Sequence, residues 1–276
     1  MIRSYSNEAV FSRISFPKVH TRHRVLTVAF LVVISTVFTA CKGRGDQGST
    51  PLASGGNVPI LLFKGTGTSA NDVTAVEAIL NSNHLNYSNV NSSQLNEMSE
   101  SQISRYRLLI VPGGNFVDLG NSLTASTTAN VRHAVHNGLN YLGICAGGFL
   151  AGSFAPGYNS FNLTSGVQFR FYAAENRGIR KAAVAIAGAG TPTLDQYWED
   201  GPQFTGWGTV LGKYPDGTPA VVEGTFGQGW VILTGVHPEA PESWRRGMTF
   251  TTPVSADNAY AATLIRSALN RTSLLH

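Results

Sequence analysis

The sequence predicts an α/β fold: a doubly wound, mostly parallel sheet with antiparallel additions in the C-terminal half. Between residues 58 and 152, short apolar runs alternate with segments of helical spacing, as expected for parallel strands joined by helices. Two of these runs, "LLIV" and "NYLGI", are apolar without alternation, which is typical of parallel strands buried on both faces. From about Phe161 the sequence changes to strands and turns, which indicates antiparallel hairpins at one edge of the sheet.

The elements of the first half are predicted from these patterns in order. Turn formers bound the first apolar run, and a Gly-Gly turn ends the third, so both are expected to be strands. Two longer segments place their apolar side chains at roughly helical spacing. The expected order is strand "NVPILLFKG", helix 71–83, strand "HLNYSNV", strand "SRYRLLIVPGG", helix 126–138, strand "NYLGIC" and a helix that starts with "AGGFLAGSF".

The second half is predicted to add hairpins and a closing helix. "VQFRFYAA" and "KAAVAIAG" are expected strands, and the turns "YPDG" and "GQG" divide the following apolar stretch into antiparallel strands. Residues 257–270 form an amphipathic helix. The segment "DQYWEDGPQF" has two interpretations: a pocket lip that carries Tyr197 and Trp198, or the packed end of a hairpin.

The first 40 residues resemble a bacterial lipoprotein signal peptide. Five basic residues precede the uncharged run "VLTVAFLVVISTVFTA", whose length suits the apolar region of an export signal. The run ends in "FTAC", which is similar to the lipobox whose cysteine, here Cys41, is lipidated and becomes the mature N-terminus. Phe38 replaces the usual leucine. An uncleaved anchor helix is the alternative, and either way we expect an exported protein tethered to a membrane.

This leader determines the domain boundaries and the location that we expect. Residues 41–56, rich in Gly, Ser and polar side chains, are predicted to form a flexible tether between the signal peptide (1–40) and one domain (57–272). The expected location is the cell envelope. In a Gram-negative cell it is the periplasmic face of the outer membrane, since Lys42 rather than Asp follows Cys41.

The formal net charge of +4 comes from the leader. Five of the 20 Lys and Arg residues and one of the 16 Asp and Glu residues lie in the first 40, which leaves 15 of each sign beyond them. A neutral chain without a basic run has no electrostatic footprint for nucleic acid, so no nucleic-acid partner is expected. With Cys41 lipidated, Cys145 has no cysteine with which to form a disulfide.

Cys145 lies in "GICAG", between a predicted buried strand and a predicted helix. This is the cysteine form of the nucleophile elbow, a tight turn whose neighbours must be small so that the strand and the helix can approach. The N-terminus of the helix stabilises negative charge on the sulfur. A buried structural thiol is the alternative, since free cysteine is among the most buried residue types.

A nucleophile needs a base, and the base needs an orienting group. The strand "WVILTGV" is followed directly by His237, Pro238 and Glu239. Because the carboxyl ends of parallel strands meet at one rim, His237 is expected beside Cys145. Glu239 is expected to reach back to the imidazole, with Glu242 as the alternative acid.

Backbone amides near the elbow are candidate donors to an oxyanion. "VPGG" follows another buried strand, and its Gly113 and Gly114 amides are expected beside the amide of Ala146. This chemistry requires no metal and no organic cofactor. His133 and His136 lie one helical turn apart, but no Cys or carboxylate lies near them in sequence, so we expect a solvated helix face there.

The blocks "PGG", "GICAG" and "GVHPE", in this order, resemble the class I glutamine amidotransferase-like superfamily, a flavodoxin-like fold. They look most similar to the biotin–protein ligase N-terminal domain family. The resemblance covers about 58–270 and implies Cys145 as nucleophile, His237 as base and Glu239 as its orienting acid. Amidotransferases that serve synthetases usually carry glutamine four residues after the nucleophile, where this chain has Phe149.

These observations lead to two hypotheses about function. The first is an exported lipoprotein with a Cys-His-Glu site, a thiol hydrolase or acyl-transfer enzyme that acts on an amide bond of a small molecule or peptide. The second is a non-catalytic binding or scaffold lipoprotein that retains the fold. The reactivity of Cys145 separates them, since an activated thiolate is alkylated quickly and a core thiol is not. The sequence does not predict the oligomeric state.

Overall fold

The computed structural model describes residues 58–153, 157–172, 180–188 and 192–274. The predicted signal peptide, the tether and Cys41 lie outside the described residues. Within the described ranges, no helix is both long enough and apolar enough to cross a membrane.

Eleven strands and seven α-helices make up the described part of the chain. The strands are β1 (Ile60–Phe63), β2 (Tyr87–Val90), β3 (Leu108–Val111), β4 (Asn140–Ile144), β5 (Arg170–Phe171), β6 (Lys181–Gly188), β7 (Leu194–Glu199), β8 (Pro202–Gln203), β9 (Thr209–Lys213), β10 (Pro219–Phe226) and β11 (Gly229–Thr234). The helices are α1 (Ala70–Ser82), α2 (Ser92–Glu97), α3 (Glu100–Ile103), α4 (Phe116–Asn121), α5 (Ala125–His136), α6 (Ala146–Ala151) and α7 (Val254–Asn270), with a 3₁₀ helix at Glu242–Arg245.

Nine of the strands form one sheet in the order β2-β1-β3-β4-β11-β10-β9-β6-β7. The strands from β2 to β11 in this order are parallel to one another. The strands from β10 to β7 are added by antiparallel pairing. The predicted fold class is therefore confirmed. The short strands β5 and β8 pair separately.

Helices cover both faces of the parallel part, because alternate residues of each strand point to opposite sides. In β1, Leu61 and Phe63 pack in a core with α5 and α6. Ile60 and Leu62 pack on the other face in a core with α1 and α7. All four side chains are at most 1% exposed, and burial of each contributes roughly 1.5–3 kcal/mol.

Local sequence accounts for the places where the observed helices differ from the predicted ones. Helix α7 starts at Val254 rather than at 257, because Pro253 takes the N-cap position. Three short helices, α2, α3 and α4, were not predicted. Helices α2 and α3 each have a capping box in which a Gln side chain reaches back to the N-cap amide, from Gln94 to Asn91 and from Gln102 to Ser99. Helix α4 is capped by Asn115, whose side chain accepts from two amides of the first turn.

The strands that precede Cys145 and His237 are neighbours, as the sequence predicts. Strands β4 and β11 pair in parallel, with Ile144 opposite Thr234. The Cys145 amide continues this ladder by donating to the Thr234 carbonyl at 2.8 Å. The two candidate residues therefore follow adjacent strands at the same rim of the sheet.

Candidate active site

Cys145 occupies a strained turn between β4 and α6. Its φ of 48° and ψ of −102° lie where residues with a side chain are rarely found. A side chain at Gly147 would place its Cβ 2.0 Å from the Val111 carbonyl oxygen, so glycine is needed for the helix to approach β3. The Tyr141 hydroxyl donates to the Gly147 carbonyl at 2.7 Å and braces the turn from below. These features match the geometry of a nucleophile elbow.

The sulfur of Cys145 lies at the base of a cleft and is mostly covered. The residue is 5% exposed, and its thiol donates to the Glu199 carbonyl oxygen at 3.6 Å. The thiol forms no hydrogen bond with His237, although both residues are in the described part of the chain. The sulfur lies close enough to His237 that negative charge on it raises the pKa of the imidazole.

His237 is held by two carboxylates at one ring nitrogen. Its Nδ1 lies 2.9 Å from Glu239 Oε1 and 3.1 Å from Asp72 Oδ1. The contact with Glu239 has hydrogen-bond geometry, whereas Asp72 Oδ1 forms no hydrogen bond and is an ion-pair partner. Two acids therefore contact the imidazole: Glu239, and Asp72, which was not predicted.

Asp72 reaches the site from the first turn of α1. Ser69 caps this helix and accepts a hydrogen bond from the Asp72 amide at 3.3 Å. A Cβ at Gly113 would lie 2.1 Å from Asp72 Oδ1 and 2.7 Å from the His237 ring, so glycine makes room for the pair. The only sequence signal for Asp72 is an acid in the first turn of a helix that follows a buried parallel strand.

The charges of these three groups support one another. Burial alone raises the pKa of Asp72, but the charge of His237 and the polar contacts of the carboxyl group together more than offset it, and the pKa falls below its usual 3.8. Burial alone lowers the pKa of His237, yet the negative charges of Glu239, Cys145 and Asp72 raise it well above 6.5. Burial raises the pKa of Glu239, and His237 opposes that shift only in part. The favoured form of His237 at neutral pH is the imidazolium cation.

Aromatic rings enclose the imidazole. The rings of Tyr197 and Trp244 each lie 5.8 Å from the His237 ring, both in edge-on contact. The His237 amide also donates to the Tyr197 carbonyl at 2.8 Å, which joins the loop after β11 to β7. The imidazole is 4% exposed, so its ionic contacts are little weakened by water.

A cleft of about 440 Å³ opens above Cys145 and His237. One wall is aromatic: the Phe149 ring lies 4.4 Å from the ring of Phe116 and 4.8 Å from that of Phe171. The lining also contains three charged residues: Arg180, Glu199 and Asp200.

Of the two interpretations of "DQYWEDGPQF", the pocket lip needs correction for its aromatic side chains. Tyr197 and Trp198 do not line the cleft, because they point into the interior and are 4% and 2% exposed. Their strand does reach the lip, which Glu199 and Asp200 form at its end.

The predicted oxyanion donors occupy different depths in the site. Gly114 lines the cleft, whereas Gly113 lies behind it against Asp72 and His237. Ala146 is the first residue of α6 and is fully buried. The amides of the first turn of a helix have no acceptor within that helix, so the Ala146 amide has no intrahelical partner. The assignment of these amides to an oxyanion stays a prediction.

Asp72, His237 and Glu239 are also a set of the kind that binds metals. Their donor atoms lie within 4.8 Å of one another, and an imidazole with two carboxylates suits a divalent cation such as zinc. The Nδ1 atom lies 2.9 Å from Glu239 Oε1 and 3.1 Å from Asp72 Oδ1, so a protonated imidazole would neutralise one of the two carboxylates. Of the two histidines on the exposed face of α5, His133 lies with its Nδ1 3.6 Å from a Glu100 carboxylate oxygen.

Comparison with known proteins supports the resemblance over part of the chain. Residues 58–184 match the family model described as "Biotin-protein ligase, N terminal", a range that contains Asp72 and Cys145 and stops before His237. A search of curated proteins found no match.

Several solved structures are similar to this chain at low sequence identity. A putative GMP synthase component from Thermoplasma acidophilum is 11% identical over 79% of this chain and 98% of its own, with a TM-score of 0.49. The GH42 β-galactosidase Gan42B from G. stearothermophilus is 14% identical over 76% of this chain, with a TM-score of 0.47. A β-galactosidase from Halorubrum lacusprofundi is 16% identical over 80% of this chain, with a TM-score of 0.46. The aligned region spans only 30% and 32% of these two galactosidases. By sequence, residues 58–184 are thus similar to the biotin–protein ligase N-terminal domain.

Proposed function

We propose that this protein is a cysteine-nucleophile hydrolase or acyl-transfer enzyme that acts on an amide bond, with Cys145, His237 and Glu239 as its catalytic group. One observation carries the proposal: a cysteine on a strained elbow shares a cleft with a histidine whose Nδ1 lies beside two buried carboxylates. A thiolate beside an imidazolium is the reactive form of a cysteine nucleophile.

The reaction follows from these charges. The Cys145 thiolate attacks the amide carbonyl carbon, and a carbon–sulfur bond forms as the carbonyl electron pair moves to oxygen. The carbon–nitrogen bond then breaks, and the leaving nitrogen takes a proton from His237. Neutral His237 next removes a proton from water or from an acceptor amine, which attacks the thioester and releases the thiolate.

The tetrahedral oxyanion needs donors that are in place before the reaction. The Gly114 amide at the cleft wall and the Ala146 amide at the start of α6 supply them in our proposal, with Gly113 in support. Asp72 and Glu239 act through His237: they keep it charged and fix the direction of its ring.

The aromatic wall argues against free glutamine as the substrate. Phe149 lies four residues after the nucleophile, a position at which amidotransferases that serve synthetases usually carry a glutamine side chain. Its ring packs with Phe116 and Phe171 and offers no polar group to a substrate. We therefore expect an amide of a less polar small molecule or peptide.

The decisive experiment compares wild type with Cys145→Ala on glutamine, γ-glutamyl amides and small peptide amides. Turnover that depends on Cys145 supports the proposal, and a chelator such as EDTA should leave it unchanged. Labelling with iodoacetamide is measured in parallel on wild type and His237→Ala. No turnover together with slow alkylation would refute the enzyme hypothesis.

The binding or scaffold hypothesis has one observation in its favour. The Cys145 thiol is 5% exposed and donates its hydrogen bond to a backbone carbonyl, which is the behaviour of a structural thiol. In that case the thiol reacts slowly whether or not His237 is present.

We also propose that the chain is exported and lipid-anchored through Cys41, on the basis of the "FTAC" block and the basic leader. Cys41→Ser should release the protein from the membrane fraction of expressing cells. An unchanged membrane fraction for this variant would contradict lipidation.

A further inference from the structure

The cleft lining holds a carboxylate that no cation pairs with among the described residues. Glu199 is the last residue of β7, and its Oε2 accepts a hydrogen bond from the Tyr197 hydroxyl at 2.5 Å. Tyr197 is buried and fixed beside His237, so it holds this carboxylate in one position. The second oxygen, Oε1, has no protein partner within the described ranges and is available to a ligand.

The neighbouring charges do not cancel Glu199. Arg180 is the basic residue of the described lining besides His237, but its guanidinium pairs with Asp200 at 2.9 Å, and its side chain is 78% exposed. Among the described residues, three carboxylates and two basic side chains line the cleft, and Glu239 adds a fourth carboxylate behind His237. The described part of the lining is therefore net negative even with His237 charged.

The aromatic and the charged residues of the lining together favour one chemical class of ligand. An aromatic surface with an exposed edge at Phe171, which is 40% exposed, takes a flat apolar group. The face of such a ring also attracts a cation. A net negative cleft with a fixed carboxylate favours an ammonium and repels an acid.

We propose that the substrate is an amide that carries an apolar group and a positively charged amine, with Glu199 as the residue that selects for the charge. This inference rests on the proposed function, which supplies the amide. It disfavours substrates that carry a carboxylate, including free glutamine, whose ammonium group is accompanied by a carboxylate on the same carbon.

Three matched probes test the charge preference: para-(aminomethyl)benzamide, para-(hydroxymethyl)benzamide and para-(carboxymethyl)benzamide. They share the ring and the primary amide and differ only in the substituent that sets the charge. Each is titrated calorimetrically into the full chain carrying Cys145→Ala, so that turnover does not disturb the binding measurement. We expect the cationic probe to bind at least about fivefold more tightly than the anionic one.

Variants in the same background assign the preference to residues. Glu199→Gln should reduce the cation-to-anion ratio about threefold, whereas Glu97→Gln, an equal charge change outside the cleft, should leave it unchanged. Arg180→Gln should increase the ratio, because it frees Asp200. Phe171→Ala should weaken all three probes by a similar factor, since it removes apolar contact and no charge.

The outcomes separate this inference from the proposed function. Equal binding of the three probes, tighter binding of the anion, or no binding of any probe overturns the charge preference. An effect of Glu97→Gln as large as that of Glu199→Gln overturns the assignment to Glu199. Ammonia release from the probes by the chain with Cys145 intact tests the function instead, and its absence alone leaves a measured charge preference standing.

Discussion

The parallel and the antiparallel halves of the sheet contribute different things to the cleft. Strands β4 and β11 end at Cys145 and His237, and the helix after β1 brings Asp72, so the reactive groups come from the parallel half. Strand β7, at the far edge of the antiparallel half, ends at Glu199 and leads to Asp200. Under the proposed function, chemistry and recognition would lie on separate parts of one sheet, so that substitutions in each should have separable effects.

The largest effect is expected in the parallel half, at His237. His237→Ala removes the cation beside the thiolate and the proton donor to the leaving nitrogen, and kcat should fall about 10²- to 10⁴-fold. The measurement is steady-state turnover of the amide identified in the panel. A variant that changes KM and leaves kcat intact would mean that His237 belongs to recognition, and the division between the halves would fail.

The two carboxylates on His237 should differ from each other. Glu239→Gln removes the acceptor of the Nδ1 hydrogen bond and should lower kcat about tenfold or more, whereas Asp72→Asn should cost less. Both should move the basic limb of the pH–rate profile to lower pH, because each removes a negative charge that raises the pKa of His237. A profile that does not move would show a purely structural role.

The Asp72–His237 pair should also appear in the pH dependence of stability. The pKa of His237 is raised when folded, so its contribution is complete below 6.5 and is lost as pH rises through the folded value. The pKa of Asp72 is lowered, so its contribution is complete above 3.8 and is lost as pH falls through the folded value.

Denaturation of wild type and Asp72→Asn should therefore differ most between about pH 4 and 6.5, by about 1.5–3 kcal/mol. Urea unfolding at several pH values measures the difference. A difference that is constant across pH would mean that the pair contributes through packing alone.

The smallest effect is expected in the antiparallel half, at Tyr197. Tyr197→Phe removes the hydrogen bond to Glu199 and leaves the ring that packs on His237. KM for a cationic amide should rise about two- to fivefold with kcat nearly unchanged. Trp244→Phe, which retains an aromatic ring beside His237 and does not contact Glu199, serves as the control.

The comparison of the halves also shows what the sequence was able to predict. The alternation of strands and helices and the two continuous apolar runs determine the parallel core, and they place Cys145 and His237 after neighbouring strands. These relations depend on local pattern and on the general geometry of parallel sheets. The turns "YPDG" and "GQG" likewise predict the hairpins formed by β9, β10 and β11.

Contacts between distant segments were not predictable in the same way. Asp72 reaches His237 across 165 positions of sequence, and one acid at the start of a helix is usually no more than a favourable charge near the helix dipole. Glu199 was not predicted as a cleft residue, because the segment was expected to present the aromatic side chains Tyr197 and Trp198, both of which are buried. The position of β7 at the cleft depends on sheet order, which no local pattern encodes.

The backbone of Cys145 carries a further consequence, for evolution. Glycine adopts a φ of 48° without the clash that a Cβ introduces, so Cys145→Gly should make the folded protein more stable by about 1 kcal/mol or more while it removes the thiol. Selection for stability alone would favour glycine at this turn. A lineage that no longer used the thiol would therefore gain stability by replacing the cysteine with glycine, and this chain retains Cys145.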